Sequence, residues 1–210
     1  SATNVSAIVA GNSLQVVVRG VDNSFLGVIG FDNLTITAAP IIYSRKSGSW
    51  TDVTLGVGGT GTWSLTGHTG SACGCYPLNT QVAVIGNSHT VTLPSSQTTI
   101  GTPPTTNLAP GAVDISNTGT LQFNTNGVTL GIQQGLLRVR NGGALNSSSG
   151  AVTGEQVSFQ ADVGGARFQV DAGGTASLED LVLATGATNL HYLEGGGPLS
   201  ITGDILINAN

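Results

Sequence analysis

The most constraining feature of this sequence is a pattern that recurs four times after about residue 111: an alternating apolar run, a glycine-containing corner, and another run. The corners are NTGTLQF (117–123), NGGALNS (141–147), AGGTASL (172–178) and EGGGPLS (194–200). The glycines that align between them are Gly119, Gly143, Gly174 and Gly197. Repeats of this length with a strand ahead of each corner are typical of a β-solenoid. We therefore predict an all-β fold: a β-solenoid (β-helix) of irregular 23–31-residue coils, preceded by a small N-terminal β region.

Apolar residues in this part of the chain come in pairs two positions apart, which is the period of a strand with one buried face. The predicted inward set is Val113, Ile115, Leu121, Phe123, Val128, Leu130, Ile132, Leu137, Val139, Val157, Phe159, Val163, Phe168, Val170, Leu181, Leu183, Leu199, Ile201, Ile205 and Ile207. No stretch keeps the 3.6-residue period of a helix, and glycine interrupts every window long enough for one.

The composition indicates the setting. Charged residues make up only 8 % of the chain, so its polar face consists of hydroxyl and amide groups, as in many secreted β-proteins and fibres. The net charge is −5 and the six basic residues are scattered, which argues against a nucleic-acid partner. No apolar run approaches the roughly 18 residues of a membrane helix, so we predict no transmembrane segment. We expect a secreted, extracellular or cell-surface protein.

Residues 41–94 resemble a segment that is common in large secreted and surface proteins of Bacteroidetes-type bacteria. That segment has the form SG-W…TW…C-x-C-P…D-x-V-x-I-x-x-G-H-T-V-T-L and leads into an adhesin-type β-solenoid. The matching residues are Ser47, Gly48, Trp50, Trp63, Cys73, Cys75, Pro77, Val82, Val84, His89, Thr90, Val91, Thr92 and Leu93. Thr80 or Gln81 stands in place of the usual Asp, and Ser88 in place of the Gly before His. The resemblance implies a cap and a first coil, and it implies no enzyme activity.

Residues 1–40 contain at least three strand candidates, and SLQVVVRGVDNSFLGVIGFDNLTITAAP resembles the last two strands of a galactose-binding-like or lectin-like jelly roll. In such modules the Asp of the closing strand helps to hold a structural calcium ion, which makes Asp32 the candidate ligand and calcium the one candidate cofactor. The alternative, which we favour, is that Asp32 and Asn33 serve a turn or bulge. The remaining strands of a jelly roll are absent, so we expect an incomplete or donated set of strands.

These segments suggest three regions: residues 1–40 as jelly-roll-like strands, 41–94 as cap and first coil, and 95–210 as the solenoid. Trp50 and Trp63 are suited to covering the end of the solenoid core. Val82 and Val84, followed by residues 89–93, form two alternating strands around a turn. Residues 95–110 are either a Pro/Thr-rich loop or a coil with an insertion.

Cys73 and Cys75 form a C-x-C motif, the most distinctive local feature of the sequence. In a secreted chain they predict oxidised sulfur, either a disulfide within the pair or links to a neighbouring chain. The pair is also compatible with a metal site, in which His68 and His89 would be additional ligands, or with redox chemistry. The third histidine is His191, and for His89 we favour a turn-facing or stacking position.

We predict no catalytic residues, because no acids, bases or nucleophiles converge in the sequence. The acids of the solenoid region are Asp162, Asp171, Glu179, Asp180, Glu194 and Asp204. Asp171 and Glu194 precede equivalent corners and are expected to stack on one edge, which usually marks a solvated turn. Arg138 and Arg140 point outward from one strand face, where they favour solubility or contacts with acids such as Asp162 or Glu179.

The sequence favours an extracellular structural protein: a filament or fibre subunit, or a stalk segment of a surface adhesin, that assembles with copies of itself head-to-tail or by strand donation. The chain starts at Ser1, and we expect a mature product or a segment of something longer. The first alternative is a carbohydrate- or receptor-binding fibre module of a bacterial adhesin or phage tail, with glycans as partners. Its candidate ligand platform is Tyr43, Tyr76 and Tyr192. A β-helix polysaccharide-degrading enzyme is the third hypothesis.

Overall fold

The computed structural model describes residues 40–55, 59–78, 81–93, 98–100, 111–123, 127–132, 135–146, 156–159, 166–185 and 192–209. Every regular element in these ranges is a β-strand, and the strands belong to three sheets, which we call A, B and C. All strand pairs are parallel except one at the start of sheet A. The prediction of an all-β solenoid is therefore confirmed.

Successive strands along the chain visit the three sheets in turn. Sheet A contains β1 (Ile41–Ser44), β3 (Trp63–Ser64), β4 (Val82–Ile85), β7 (Ala112–Ile115), β10 (Leu136–Val139), β13 (Arg167–Val170) and β16 (Tyr192–Glu194). Sheet B contains β2 (Gly48–Ser49), β5 (Thr90–Leu93), β8 (Thr120–Phe123), β11 (Ala144–Asn146), β14 (Thr175–Leu178) and β17 (Leu199–Ile201). Sheet C contains β6 (Thr98–Ile100), β9 (Thr129–Ile132), β12 (Gln156–Phe159), β15 (Asp180–Thr185) and β18 (Ile205–Ala209).

The strand register reproduces the spacing of the glycine corners. Thr120 pairs with Ala144, and Ala144 pairs in turn with Thr175. Ala176 then pairs with Leu199 in the next coil. These three steps along the chain equal the steps between the four aligned glycines, from Gly119 to Gly197. Each repeat in the sequence is thus one coil, and like positions of successive coils stack in columns.

The core lies inside the three sheets and consists of the alternate residues of each strand. Most of the predicted inward residues are buried, from Val113 in β7 to Leu181 in β15. Val163 lies outside the described residues. In β4 the alternation that we emphasised is shifted by one position: Ala83 and Ile85 enter the core cluster, whereas Val84 is only partly buried. The pairing of Ala83 with Val113 and of Ile85 with Ile115 sets this phase.

The last coil departs from the predicted burial. Ile205 and Ile207, which belong to the predicted inward set, continue the columns of Leu181 and Leu183, and Leu193, which that set does not include, continues the column of Phe168. Leu193, Ile205 and Ile207 are nevertheless exposed, by 49 %, 58 % and 66 %. In the described part of the chain no strand lies beyond β16, β17 or β18. The side chains that should be core residues therefore have a covering coil on one side only.

At the opposite end the segment between β2 and β4 covers the start of sheet A, while β2 and β6 are edge strands of sheets B and C in the described part of the chain. β3 pairs antiparallel with the outer edge of β1, and the Cys73 N–H donates to the Trp63 oxygen beyond it. Trp50 and Trp63 are at most 1 % exposed, so both belong to the core, as expected for residues that cover its end. β6 shows that part of residues 95–110 belongs to a coil, because it pairs with β9. Residues 1–39, including Asp32 and the jelly-roll-like strands, lie outside the described residues.

Candidate functional site

The feature with the clearest capacity for an interaction is the edge formed by β16, β17 and β18, which we call the open edge. Each of these strands has one hydrogen-bonded neighbour among the described residues: β13, β14 and β15 respectively. On their other side no strand of the described ranges is present, so the backbone N–H and C=O groups there can pair with a further strand. The inward side chains of the open edge are Leu193, Leu199, Ile201, Ile205 and Ile207.

The end of the solenoid that carries Trp50 and Trp63, which we call the capped end, differs from the open edge in its contacts. Arg45 anchors the cap, since its Nε donates to the Gly70 oxygen at 2.9 Å and its Nη1 to the Gly59 oxygen at 2.7 Å. A shallow apolar depression of about 420 Å³ lies beside the disulfide and is lined by Val53, Gly74, Cys75, Tyr76 and Leu78. The two ends of the solenoid are therefore unlike surfaces.

Charged residues run along the outer face of sheet A as ion pairs. Arg140 Nη2 contacts Asp114 Oδ2 at 2.8 Å, and the Asp114 side chain is only 5 % exposed. Hydrogen bonding to Asp114 raises the pKa of Arg140. Arg138 Nε donates to Asp171 at 2.7 Å. Asp114 and Asp171 are thus partners of the two arginines, because the coils place these acids next to them, and Asp162, one of the acids we gave as an example, lies outside the described residues.

Asp171 and Glu194 do not stack as predicted: the register places Glu194 beside Gln169, and each of the two carboxylates has its own arginine partner. Burial raises the pKa of Asp171, and hydrogen bonds from Arg138 and Gln169 more than compensate, so the net shift is downward. Glu194 contacts Arg167 at 3.1 Å. Both carboxylates are therefore engaged in ion pairs on the surface of sheet A, which is a structural role.

Ser44 brings together two histidines that are distant in the sequence. Nδ1 of His68 lies 2.6 Å from the Ser44 carbonyl oxygen, and Nδ1 of His89 lies 3.0 Å from the same atom. The Ser44 hydroxyl also lies 3.1 Å from Nδ1 of His89, so a histidine donates to the carbonyl in the tautomer that carries the proton on Nδ1 and accepts from the hydroxyl in the other. The Gly86 N–H donates to the Ser44 hydroxyl at 3.2 Å. This cluster fastens the cap to the first coils, and no spacing in the sequence indicated it.

Cys73 and Cys75 form a disulfide with each other, so neither a link to another chain nor a metal site applies to this state. Both residues are partly buried and pack against the core cluster. Among the described residues no three of His, Cys, Asp and Glu are grouped for metal binding.

The three tyrosines of the predicted ligand platform are not brought together. Tyr43 is half-buried, with its ring edge against His68, and Tyr76 lies beside the disulfide. Tyr192 is exposed, and the Arg167 guanidinium lies 5.1 Å from its ring centroid. Tyr43 and Tyr192 are five strand spacings apart in sheet A, about 24 Å.

The remaining predicted positions, Asp32, Asp162 and His191, lie outside the described residues. Within the described ranges, the chain has no helix with the length and hydrophobicity that a membrane crossing requires. Comparisons of the chain with protein-family models, with curated proteins and with solved structures find no match.

Proposed function

We propose that this protein is an extracellular structural protein, a filament or fibre subunit or a stalk segment of a surface adhesin, that assembles through its open edge. The observation that carries the proposal is the exposure of Leu193, Ile205 and Ile207 at positions that are core in the preceding coils. Complete burial of a fully exposed Leu or Ile contributes about 1.5–3 kcal/mol, and covering these half-covered side chains contributes about half of that each. A further β layer at this edge would gain that burial together with new backbone hydrogen bonds.

The inequality of the two ends supports an assembly that grows in one direction. At the capped end Trp50 and Trp63 are buried and β3 covers β1, although β2 and β6 are edge strands there, whereas the open edge exposes Leu193, Ile205 and Ile207 at inward positions. A contact between the open edge of one copy and a different surface of the next is heterologous, and such contacts generate fibres where successive rotations do not close into a ring.

Two observations support an extracellular setting. The Cys73–Cys75 disulfide is a bond that persists in oxidising compartments and is rare in the cytosol. The chain is poor in charge, at 8 %, and carries its polarity on hydroxyl and amide groups.

The test is negative-stain electron microscopy of the purified chain beside size exclusion at increasing concentration. We expect regular filaments with an axial repeat of one subunit. Ile207→Lys places a charge on the inward face of the open edge and should leave a monomer. Leu206→Lys, on the outward face of the same strand, should still polymerise. A chain that stays monomeric at high concentration contradicts the filament and directs the next assay to glycan binding by a fibre module.

A further inference from the structure

The capped end carries apolar side chains that are exposed beside the disulfide. Val53, Leu55 and Leu78 are exposed by 41 %, 63 % and 38 %. Val53 and Leu78 line the shallow depression together with Tyr76. Leu55 lies against Gly74 of the disulfide loop, since a Cβ at Gly74 would be 2.7 Å from the Leu55 Cδ1. We call Val53, Leu55, Tyr76 and Leu78 the cap patch.

The cap patch surrounds the outermost described segment of sheet A. The Thr62 oxygen accepts a hydrogen bond from the Arg45 N–H, on the β1 side of the antiparallel pair. Successive carbonyl groups of a strand point to opposite sides, so the Trp63 oxygen points away from β1. The Trp63 oxygen accepts the Cys73 N–H, which places the disulfide loop beyond β3. The cap patch and the open edge are therefore at opposite ends of the stack of coils.

The charges of the two ends are complementary. Ahead of β4, the described residues include two bases, Arg45 and Lys46, and one acid, Asp52. The described residues of the last coil include two acids, Glu194 and Asp204, and no lysine or arginine. Glu194 already contacts a base of its own chain, whereas Asp204 is exposed. Electrostatics therefore favours a capped end next to an open edge over two acidic open edges next to each other.

We propose that the open edge of one copy packs on the cap patch of the next copy. This proposal rests on the assembly proposed above and names its second surface. The contact covers Leu193, Ile205 and Ile207 with the apolar side chains of the cap patch, so both exposed apolar surfaces are removed from water. Each copy presents one open edge and one cap patch, so the same contact recurs from copy to copy.

The first experiment uses two full-length variants that each lose one half of the contact. Leu55→Lys places a charge in the cap patch and keeps the open edge, whereas Ile207→Lys changes the open edge and keeps the cap patch. Each alone should be monomeric by size exclusion with light scattering. An equimolar mixture should give a species of twice the monomer mass that does not grow further, which also shows that both variants are folded.

Leu65→Lys is the matched control for the cap patch. The Leu65 side chain is 59 % exposed on the same cap and does not line the depression. This variant should therefore still form filaments. A loss of filaments in Leu65→Lys equal to the loss in Leu55→Lys would overturn the assignment of the contact to the cap patch.

The other outcomes separate this inference from the assembly itself. Wild-type filaments together with filaments of Leu55→Lys alone would overturn the contact with the cap patch and leave the filament intact. A mixture that stays monomeric, although both variants keep the wild-type circular dichroism spectrum, would overturn it as well. A wild-type chain that never assembles contradicts both proposals.

The second experiment tests the pairing of unlike ends through a cross-link. The two cysteines of the chain are joined in the disulfide, so an introduced cysteine is the only thiol. Leu55→Cys combined with Ile207→Cys should give a ladder of covalent multimers with a short bis-maleimide. Each single variant should remain uncross-linked, because like ends do not meet. Efficient covalent dimers of Ile207→Cys alone would overturn the proposal in favour of paired open edges.

Discussion

The Nε1 of Trp63 donates a 2.7 Å hydrogen bond to the backbone oxygen of Trp50, and the two rings meet edge to face with centroids 5.0 Å apart. The ring of Trp63 thus packs against the ring of Trp50, and the indole N–H of Trp63 provides a hydrogen-bond donor for the backbone carbonyl oxygen of Trp50. The pair closes the capped end of the core.

Replacing Trp63 should therefore destabilise the protein strongly. Trp63→Ala removes a fully buried ring and should lower the free energy of unfolding by about 3–5 kcal/mol, measured by urea unfolding followed by circular dichroism in the Ile207→Lys background. Leu65→Ala, at a side chain that is 59 % exposed, is the matched control and should stay within about 0.5 kcal/mol. Equal losses in the two variants would contradict the assignment of Trp63 to the core.

The corner glycines allow close stacking of successive coils. A Cβ at Gly143 would overlap the Ile115 carbonyl, with its carbon only 2.6 Å away, whereas a Cβ at Gly196 would meet no atom within 4 Å. Gly143→Ala should cost about 1–3 kcal/mol of unfolding free energy, because backbone of the preceding coil must move. Gly196→Ala should leave the midpoint of denaturation unchanged. A neutral Gly143→Ala would show that the corners are spaced more widely.

The ion pairs of sheet A should differ in their contribution to stability. Arg140→Ala leaves the buried Asp114 carboxylate without its partner, which costs about 1–3 kcal/mol. Glu194→Ala breaks the more exposed pair with Arg167 and should cost at most about 1 kcal/mol. Chemical denaturation at low and at high salt measures both, and salt should weaken the Arg167–Glu194 pair more. The reverse ranking would contradict the burial of Asp114.

The histidine cluster should make the cap sensitive to mild acid. Burial lowers the pKa of His89 below its ordinary value of 6.5, and charge from His68 and Arg45 lowers it further, against the opposing hydrogen bond to Ser44. The unfolded chain then binds the proton more tightly than the folded one. The contribution of His89 to stability is complete above pH 6.5 and declines as the pH falls through 6.5 towards the lower folded pKa.

Unfolding free energies at pH 7.5 and pH 5.5 provide the measurement. The wild-type chain should be less stable at pH 5.5, and His89→Asn, which keeps a side-chain N–H but does not titrate, should show a smaller difference between the two pH values. Identical pH dependence in both proteins would assign the effect to other groups.

Local patterns were sufficient to predict the solenoid and much of its core. Strand alternation and glycine corners are properties of a few neighbouring residues, and the spacing of the corners equals the register of the stacked coils. A buried column of stacked side chains needs an apolar residue in every coil, so the coil length is visible in the sequence as the spacing of apolar residues.

Contacts between distant residues depended on the tertiary structure. The phase of β4 follows from its pairing with β7, which brings Ala83 and Ile85 inward. Arg140 meets Asp114 of the preceding coil, and His68 meets His89 through Ser44. Such pairs form because the coil lengths and the strand register determine which outward side chains become neighbours. The register depends on the hydrogen-bonded stacking of whole coils, so no short stretch of sequence is sufficient to predict these contacts.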